Sequence, residues 1–171
     1  MTDFKRFIRD IPDFPKPGIV FKDITPLLAD AHAFRALIDA LVAPYRGHVD
    51  TVLGIESRGF IIGAAAALAL GTGIAIVRKP GKLPYRTHRA SYELEYGTDA
   101  LEIHHDAVGN GHRVLLIDDL LATGGTASAA IKLVEQCGGQ VAACAFVIEL
   151  GLLDGRRRLA PHQVHALVHY D

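Results

Sequence analysis

The chain has 171 residues, of which 50% are hydrophobic and 22% are charged, and its formal net charge is −1. This size and composition predict one soluble globular domain over residues 1–171 and give little reason to expect nucleic-acid binding. Two cysteines, Cys137 and Cys144, are too few for a secreted disulfide framework. The start of the chain also lacks the apolar core of a signal peptide, so a cytoplasmic protein is expected.

Residues 11–26 contain four prolines, which prevent a continuous helix and predict an extended, partly rigid loop. This loop nevertheless carries Phe14, Ile19, Val20 and Phe21. Apolar side chains on a stiff loop need a surface to cover. Two interpretations stay open, since these side chains either pad the edge of the core or form one wall of a pocket for a flat ring.

The next segment is predicted to be a helix, with Asp30 as its N-cap and apolar residues at helical spacing up to Gly47. A buried strand over residues 49–55 follows. Ser57 and Arg58 follow this strand and lie at the start of another predicted helix. A hydroxyl group and a cation at a helix N-terminus can bind an anion. The alternative is that Arg58 forms a surface salt bridge.

Residues 59–77 carry no charge and are nominally long enough to span a bilayer. Gly71 and Gly73 interrupt this run, and its alanine-rich part gives way to the β-branched residues 74–77. A buried helix followed by a buried parallel strand explains the pattern better than a membrane span.

A cationic segment, residues 78–86, comes after this strand. Because residues 80–89 show no periodicity, they are predicted to form a mobile lid. Residues 91–96 alternate like a strand or hairpin arm. Residues 102–106 contain acids and histidines, but their spacing matches no familiar zinc pattern, and no metal is expected there.

The most informative stretch is residues 114–126. Four apolar residues predict a strand, Asp118 and Asp119 follow as an acidic loop, and a Thr/Gly turn at residues 123–126 opens a helix that ends at Gly138. Backbone N–H groups in such a turn suit a phosphate. The two carboxylates suit sugar hydroxyls or a magnesium ion, so a sugar phosphate is predicted. The alternative is an ordinary solvated βα-loop.

Beyond this stretch, strands are predicted at residues 141–148 and 164–168, with a loop at residues 151–155. The arginine triplet at residues 156–158 is interpreted as a solvated surface turn. Strands that alternate with helices predict an α/β fold, in which ligands bind at the carboxyl ends of a parallel, twisted sheet.

Several separate stretches resemble one family. Residues 114–126 are similar to the phosphoribosyl diphosphate (PRPP) motif of the type I phosphoribosyltransferases. Residues 14–25, 56–60, 78–84 and 91–97 resemble the adenine phosphoribosyltransferases within that family. The resemblance covers nearly the whole chain. It implies a central, mainly parallel sheet flanked by helices, with a small N-terminal hood at about residues 1–28 and a flexible lid.

The resemblance also implies an activity, the transfer of phosphoribosyl from PRPP to N9 of adenine, which gives AMP and pyrophosphate. Mg²⁺ is expected to enter mainly through PRPP, with Asp118 or Asp119 able to contact it through water. A homodimer that binds neither nucleic acid nor membrane is expected. The alternatives are a transferase for 6-oxopurines and a non-catalytic regulator that senses PRPP or nucleotides.

The family pattern assigns roles to individual residues. It implies that the 5′-phosphate and ribose are held by Asp118, Asp119, Ala122, Thr123, Gly124, Gly125 and Thr126. It implies that Ser57, Arg58 and Lys79 lie near the pyrophosphate.

The remaining assignments concern the base. The resemblance implies that Val20 lies against the purine face, that the backbone near Lys22 reads the purine edge, and that Tyr96 contributes to substrate binding. Glu95 becomes the candidate acid/base, although it can also be read as an exposed strand residue. The catalytic set is therefore Arg58, Lys79, Glu95, Asp118 and Asp119.

Two positions are informative: Lys22 departs from the pattern of the resembled family, and Ala122 contrasts with the pattern of the 6-oxopurine transferases. The family commonly has arginine where this chain has Lys22, which leaves a bidentate or stacking role for that side chain open. Ala122 stands where 6-oxopurine relatives typically carry an aspartate that contacts the base. This second contrast favours adenine.

Overall fold

The computed structural model describes residues 2–93 and 98–171. Its strands are β1 (Arg9–Pro12), β2 (Val20–Asp23), β3 (Thr51–Ile55), β4 (Gly73–Val77), β5 (Thr87–Glu93), β6 (Thr98–His104), β7 (Arg113–Leu121), β8 (Gln140–Leu150) and β9 (Val164–Tyr170). Its α-helices are α1 (Thr25–Ala29), α2 (Ala31–Val42), α3 (Arg58–Leu70), α4 (Gly125–Gln136) and α5 (Gly155–Arg158). Short 3₁₀ turns lie at Phe4–Phe7, Ala43–Tyr45 and Gly151–Leu153.

A five-stranded sheet forms the centre, in the order β4-β3-β7-β8-β9. Every neighbouring pair in it is parallel. The predicted α/β fold with a parallel sheet is therefore confirmed. Because all five strands point the same way, their carboxyl ends and the loops that follow them meet along one edge.

Helices cover both faces of this sheet, and alternate residues of the middle strand, β7, pack into the two hydrophobic clusters on its opposite faces. In β7, Leu115 and Ile117 pack into the hydrophobic cluster that contains α2 and α3. Val114 and Leu116 pack into the cluster that contains α4 and the strands β5 and β6. An uninterrupted apolar run is the pattern that a strand buried on both sides requires.

The helix predicted after Asp30 is α2, and its N-cap is confirmed because the Asp30 carboxylate accepts a hydrogen bond from Ala33 N at 2.8 Å. The predicted buried helix is α3, but it is buried on one side only. Ile61 and Leu68 on its other side are 49% and 84% exposed. No helix among the described residues is long and apolar enough to cross a bilayer.

The proline-rich segment is more regular than an extended loop. Strands β1 and β2 pair as an antiparallel hairpin, in which Pro12 lies opposite Val20. Phe14 N donates to the carbonyl oxygen of Ile19 across the turn, at 3.2 Å. The helix α1 then starts at Thr25, and Pro26 occupies its first turn, where a missing N–H costs nothing.

The predicted lid at residues 80–89 overlaps a strand. Strands β5 and β6 form a two-stranded antiparallel ribbon outside the main sheet, in which Thr87 lies opposite His104. The strand or hairpin arm predicted from residue 91 is the second part of β5, and polar and charged side chains on its exposed face had hidden the first part, residues 87–90, from the sequence pattern. Glu95 and Tyr96 fall outside the described residues.

The arginine triplet is exposed, as predicted for a surface turn, and it forms most of the single helical turn α5. Arg156 forms a two-pronged ion pair with Glu149, at 3.0 Å from Nε to Oε1 and 2.5 Å from Nη2 to Oε2. Glu149 is a buried residue of β8. This pair therefore fixes α5 to the carboxyl end of the sheet.

Candidate active site

A cleft of about 390 Å³ opens at the carboxyl edge of the sheet. It brings together ten of the residues that the sequence predicts: Ser57, Arg58, Lys79, Asp118, Asp119, Ala122, Thr123, Gly124, Gly125 and Thr126. These residues come from three separate strand ends. A volume of this size lies within the usual range for small-molecule sites.

One side of this cleft is the glycine turn of residues 122–126, between β7 and α4. Gly124 has a φ of 79°, in the left-handed region that glycine enters without steric cost. The helix α4 begins at the next residue, and its first N–H groups have no partner within the helix. A glycine turn followed by free N–H groups can hold a phosphate.

The acid pair lies differently from the prediction. Asp118 and Asp119 are inside β7, which continues to Leu121, and not in a loop that follows the strand. The reason is the neighbouring strand β8, which is 11 residues long and continues the ladder past the apolar run, with Asp118 opposite Phe146. The ladder holds the backbone of both carboxylates in place.

Arg58 and Asp119 form an ion pair at the cleft wall, with 2.5 Å between Arg58 Nε and Asp119 Oδ2. Arg58 is the first residue of α3, and Asp119 is only 6% exposed. Arg58 therefore does form a salt bridge, as the alternative interpretation predicted. The pair lies in the cleft, however, and both groups face the ligand space.

Asp118 has an unfavourable electrostatic environment. Loss of solvation, followed by the neighbouring Asp119 carboxylate, raises its pKa well above the ordinary aspartate value. Its Oδ1 atom accepts a hydrogen bond from Asp119 N at 2.9 Å, which offsets part of this effect. A carboxyl group that lines a cleft and has so strongly raised a pKa is a candidate functional group.

Close packing sets the distance between α3 and β7. A Cβ atom on Gly59 would lie 2.9 Å from Asp118 Oδ1 and 3.0 Å from the carbonyl oxygen of Ile117. Only glycine therefore lets the start of α3 approach the acid pair this closely.

Glu56 is a residue of the cleft that the sequence prediction missed. Its Oε2 accepts the backbone N–H of Lys79 at 2.9 Å, and its Oε1 lies 3.1 Å from Nη2 of Arg78. Burial acts to raise the pKa of Glu56, but these hydrogen bonds outweigh it, and the pKa lies below the usual value. Glu56 thereby ties the end of β4 to the start of α3.

Lys79 enters the cleft beside Tyr92, whose hydroxyl oxygen is 3.2 Å from Lys79 Nζ. Lys79 Nζ also forms an ion pair with the carboxylate of Asp99. The sequence pattern gave no sign of this contact, because Asp99 lies 20 residues farther along the chain.

The segment that contains α5 lies behind the turn of residues 122–126. A Cβ atom on Gly155 would be 2.2 Å from the carbonyl oxygen of Ala122 and 3.0 Å from Gly124 N. A Cβ atom on Gly124 would be 2.8 Å from the carbonyl oxygen of Gly155. The two backbones therefore touch, and α5 supports the turn from outside the cleft.

The hood residues lie apart from this cleft, whose lining among the described residues does not include Val20 or Lys22. The Lys22 ammonium is 2.8 Å from Asp10 Oδ1 and 4.1 Å from the centre of the Tyr170 ring. Phe21 instead reaches the site, because its ring lies 5.0 Å from the Arg58 guanidinium. The role assigned to Val20, and that of the backbone near Lys22, stay predictions.

Comparison with known proteins identifies the family of this chain. The phosphoribosyl transferase domain family matches residues 22–168. An adenine phosphoribosyltransferase from Solibacter usitatus is 60% identical over 172 aligned positions, which cover 100% of this chain and 99% of the relative. The chain belongs to the adenine phosphoribosyltransferase family.

Solved structures of adenine phosphoribosyltransferases have the same fold. The enzyme from Thermoanaerobacter pseudethanolicus superposes with a TM-score of 0.95 at 53% identity, covering 98% of both chains. The Saccharomyces cerevisiae enzyme, solved in complex with adenine and an imino-altritol bisphosphate, gives a TM-score of 0.90 at 42% identity, covering 94% of both chains. The type I phosphoribosyltransferase fold is thereby established for this chain.

Proposed function

We propose that this chain transfers the 5-phosphoribosyl group of PRPP to N9 of adenine and releases AMP and pyrophosphate. One observation carries the proposal. A single cleft holds a phosphate-binding turn, an acid pair and two cations, Arg58 and Lys79. These are the groups needed to hold a ribose 5-phosphate at one end and a pyrophosphate at the other.

The proposed positions follow from this arrangement. The 5′-phosphate binds the turn of residues 122–126, and the ribose hydroxyls donate to Asp118 and Asp119. Pyrophosphate lies toward Arg58 and Lys79, whose positive charges favour its departure. Charge develops on the sugar as the glycosidic bond breaks, because the transition state resembles an oxocarbenium ion. The acid pair lies where it would stabilise that charge.

The base is proposed to bind between the cleft and the hood. Backbone groups near Val20 and Lys22 match the adenine edge, in which N6 donates and N1 accepts a hydrogen bond. Phe21 supplies an aromatic wall on this side, since its ring already contacts Arg58. Ala122, which contributes no carboxylate, is consistent with adenine in place of a 6-oxopurine.

Magnesium is proposed to enter with PRPP. The cleft offers the hard oxygen donors that Mg²⁺ prefers, in Asp118 and Asp119, but Asp119 is already paired with Arg58. Oxygens of the substrate and water would therefore complete the coordination. When bound, the ion would neutralise charge on the pyrophosphate.

Three broader proposals accompany the activity. A homodimer is proposed, and the exposed apolar side chains Ile61 and Leu68 on α3 supply surface for it. A reducing, cytoplasmic location is proposed, consistent with the free cysteines Cys137 and Cys144. The proposal of one domain, with residues 1–28 as its hood, fits the packing of Phe4 into the same core as α2 and α3.

A substrate panel tests the proposed reaction. With PRPP and Mg²⁺, pyrophosphate release is expected with adenine and not with hypoxanthine, guanine or xanthine. Release with an oxopurine but not with adenine would overturn the base assignment. A protein that binds PRPP yet releases no pyrophosphate with any of the four bases would support the regulator instead.

Glu95 is proposed as the acid/base that faces the purine, and its substitution gives a second test. Glu95→Gln is expected to lower kcat by about 10²- to 10⁴-fold, because the amide cannot transfer a proton. PRPP binding, measured by calorimetry, should stay close to that of the wild type. Unchanged turnover would remove Glu95 from this role, and Glu93→Gln at the end of β5 is the matched control.

A further inference from the structure

The contact between Lys79, Tyr92 and Asp99 has no part in the reaction described above. Lys79 Nζ pairs with the Asp99 carboxylate and lies 3.2 Å from the Tyr92 hydroxyl. The Tyr92 hydroxyl lies 3.1 Å from Asp99 Oδ2. The three groups therefore form a closed triangle at the side of the cleft where pyrophosphate is proposed to bind.

This triangle is built into the ribbon. Tyr92 and Asp99 are directly opposite each other in the register of β5 and β6, and Tyr92 is only 8% exposed. The second carboxylate oxygen of Asp99 accepts a hydrogen bond from Ala100 N at 2.8 Å. One oxygen is thus held by the backbone while the other faces Lys79, so Asp99 is a preformed receptor for the ammonium group.

Two anions would then compete for one cation. Lys79 has three N–H donors but a single charge, and its ion pair with Asp99 neutralises that charge. A pyrophosphate group that approaches Lys79 also meets a like charge on Asp99. Both effects oppose binding while the pair is intact.

We propose that Asp99 is the resting partner of Lys79 and that the pyrophosphate group of PRPP displaces it. Asp99 is thereby a positioning residue that sets the affinity for PRPP and for free pyrophosphate. This inference rests on the proposed function, since it needs Lys79 to bind pyrophosphate. In this proposal Asp99 weakens the binding of both PRPP and pyrophosphate. The departing pyrophosphate is therefore released more easily.

The expected effect is moderate, because both side chains are partly exposed, at 44% for Lys79 and 28% for Asp99. Exposed ion pairs of this kind typically change an equilibrium constant by a factor of about two to five. Asp99→Asn should therefore bind Mg²⁺-pyrophosphate and PRPP about two- to fivefold more tightly. Asp99→Glu, which restores the charge, should return the affinity toward that of the wild type.

The experiment is a double-mutant cycle measured by calorimetry with Mg²⁺-pyrophosphate and with PRPP. It compares the wild type, Asp99→Asn, Lys79→Ala and the variant with both changes. The gain from Asp99→Asn should disappear in the Lys79→Ala background, because the competition acts through the lysine. In steady-state assays the KM for PRPP should fall while the KM for adenine stays constant, which a loss of folding would not produce.

The outcomes separate the two proposals. Asp106→Asn, an equal change of charge on an exposed residue after β6, should leave pyrophosphate affinity unchanged. Weaker or equal binding by Asp99→Asn, or a gain that persists without Lys79, would overturn the role of Asp99 alone. Failure of the wild type to bind PRPP would overturn the proposed function, and with it this inference.

Discussion

Replacing Gly155 with alanine is expected to lower the affinity for PRPP by about 100-fold, although Gly155 lies outside the cleft. The new Cβ atom would stand 2.2 Å from the carbonyl oxygen of Ala122 and 3.0 Å from Gly124 N. Both are backbone atoms of the phosphate-binding turn. They cannot rotate away as the end of a flexible side chain could, so the turn or α5 must move.

The turn is the part expected to move. The ion pair between Arg156 and the buried Glu149 holds α5 in place. A displacement of about 1 Å in a group that positions substrate can cost about 10²-fold in rate, and a loss of similar size is expected for the binding of PRPP by the displaced turn. Overpacking of this kind also costs about 1–3 kcal/mol of stability.

Gly151→Ala in the same segment is the matched control. Its Cβ atom would meet nothing closer than Asp171 Oδ1 at 3.3 Å and the carbonyl oxygen of Tyr170 at 3.5 Å. Calorimetric titration with PRPP should therefore give wild-type affinity for Gly151→Ala and weak binding for Gly155→Ala. Equal affinities would show that α5 does not support the turn. Circular dichroism would confirm that both variants are folded.

Much of the fold follows from periodicity in the sequence. The apolar run before Asp118 predicted a strand, which the structure buries on both faces, and Asp30 marked the start of α2. The boundaries were harder to predict, because partners elsewhere decide them. β7 continues through the acid pair because the longer strand β8 offers backbone groups to pair with.

The ribbon formed by β5 and β6 shows a second limit. Its exposed face carries charged side chains, so residues 87–89 resembled a loop in the sequence. What makes them a strand is the antiparallel partner 17 residues away, with Thr87 opposite His104. Local patterns carry no information about such a partner.

The residue types in the sequence predicted which side chains form the site. They did not predict which of these side chains form ion pairs with each other. Arg58 and Lys79 were both assigned to pyrophosphate, and both line the cleft. Their ion pairs with Asp119 and Asp99 span 61 and 20 residues of sequence. Glu56 and Gly155 were missed for the same reason, since each acts by touching backbone that the fold brings close.

Asp118→Asn is expected to make the ligand-free protein more stable at neutral pH and the enzyme less active. Burial, followed by the Asp119 carboxylate, raises the pKa of Asp118 in the folded state. Folding therefore favours the protonated form, and the ionised form costs stability. The amide has the same shape, has no charge, and keeps an oxygen that can accept the hydrogen bond from Asp119 N.

The stability gained by Asp118→Asn depends on pH. Below the ordinary aspartate pKa of 3.8, Asp118 is protonated in both the folded and unfolded states and costs nothing. As the pH rises from there through the raised folded pKa, the wild type loses stability that Asp118→Asn keeps. The difference in Tm should thus be near zero at pH 3.5 and positive at pH 7, at about 2–4 °C for each kcal/mol.

Activity should change in the opposite direction. Without the carboxylate, a ribose hydroxyl loses a charged acceptor, and kcat/KM should fall by about 10- to 100-fold. Asp106→Asn, an exposed acid outside the cleft, should alter neither Tm nor kcat/KM. A fall in Tm for Asp118→Asn at pH 7 would contradict the electrostatic cost. A gain in stability with a loss of activity would mean that the cleft keeps an unfavourable charge because the sugar needs it.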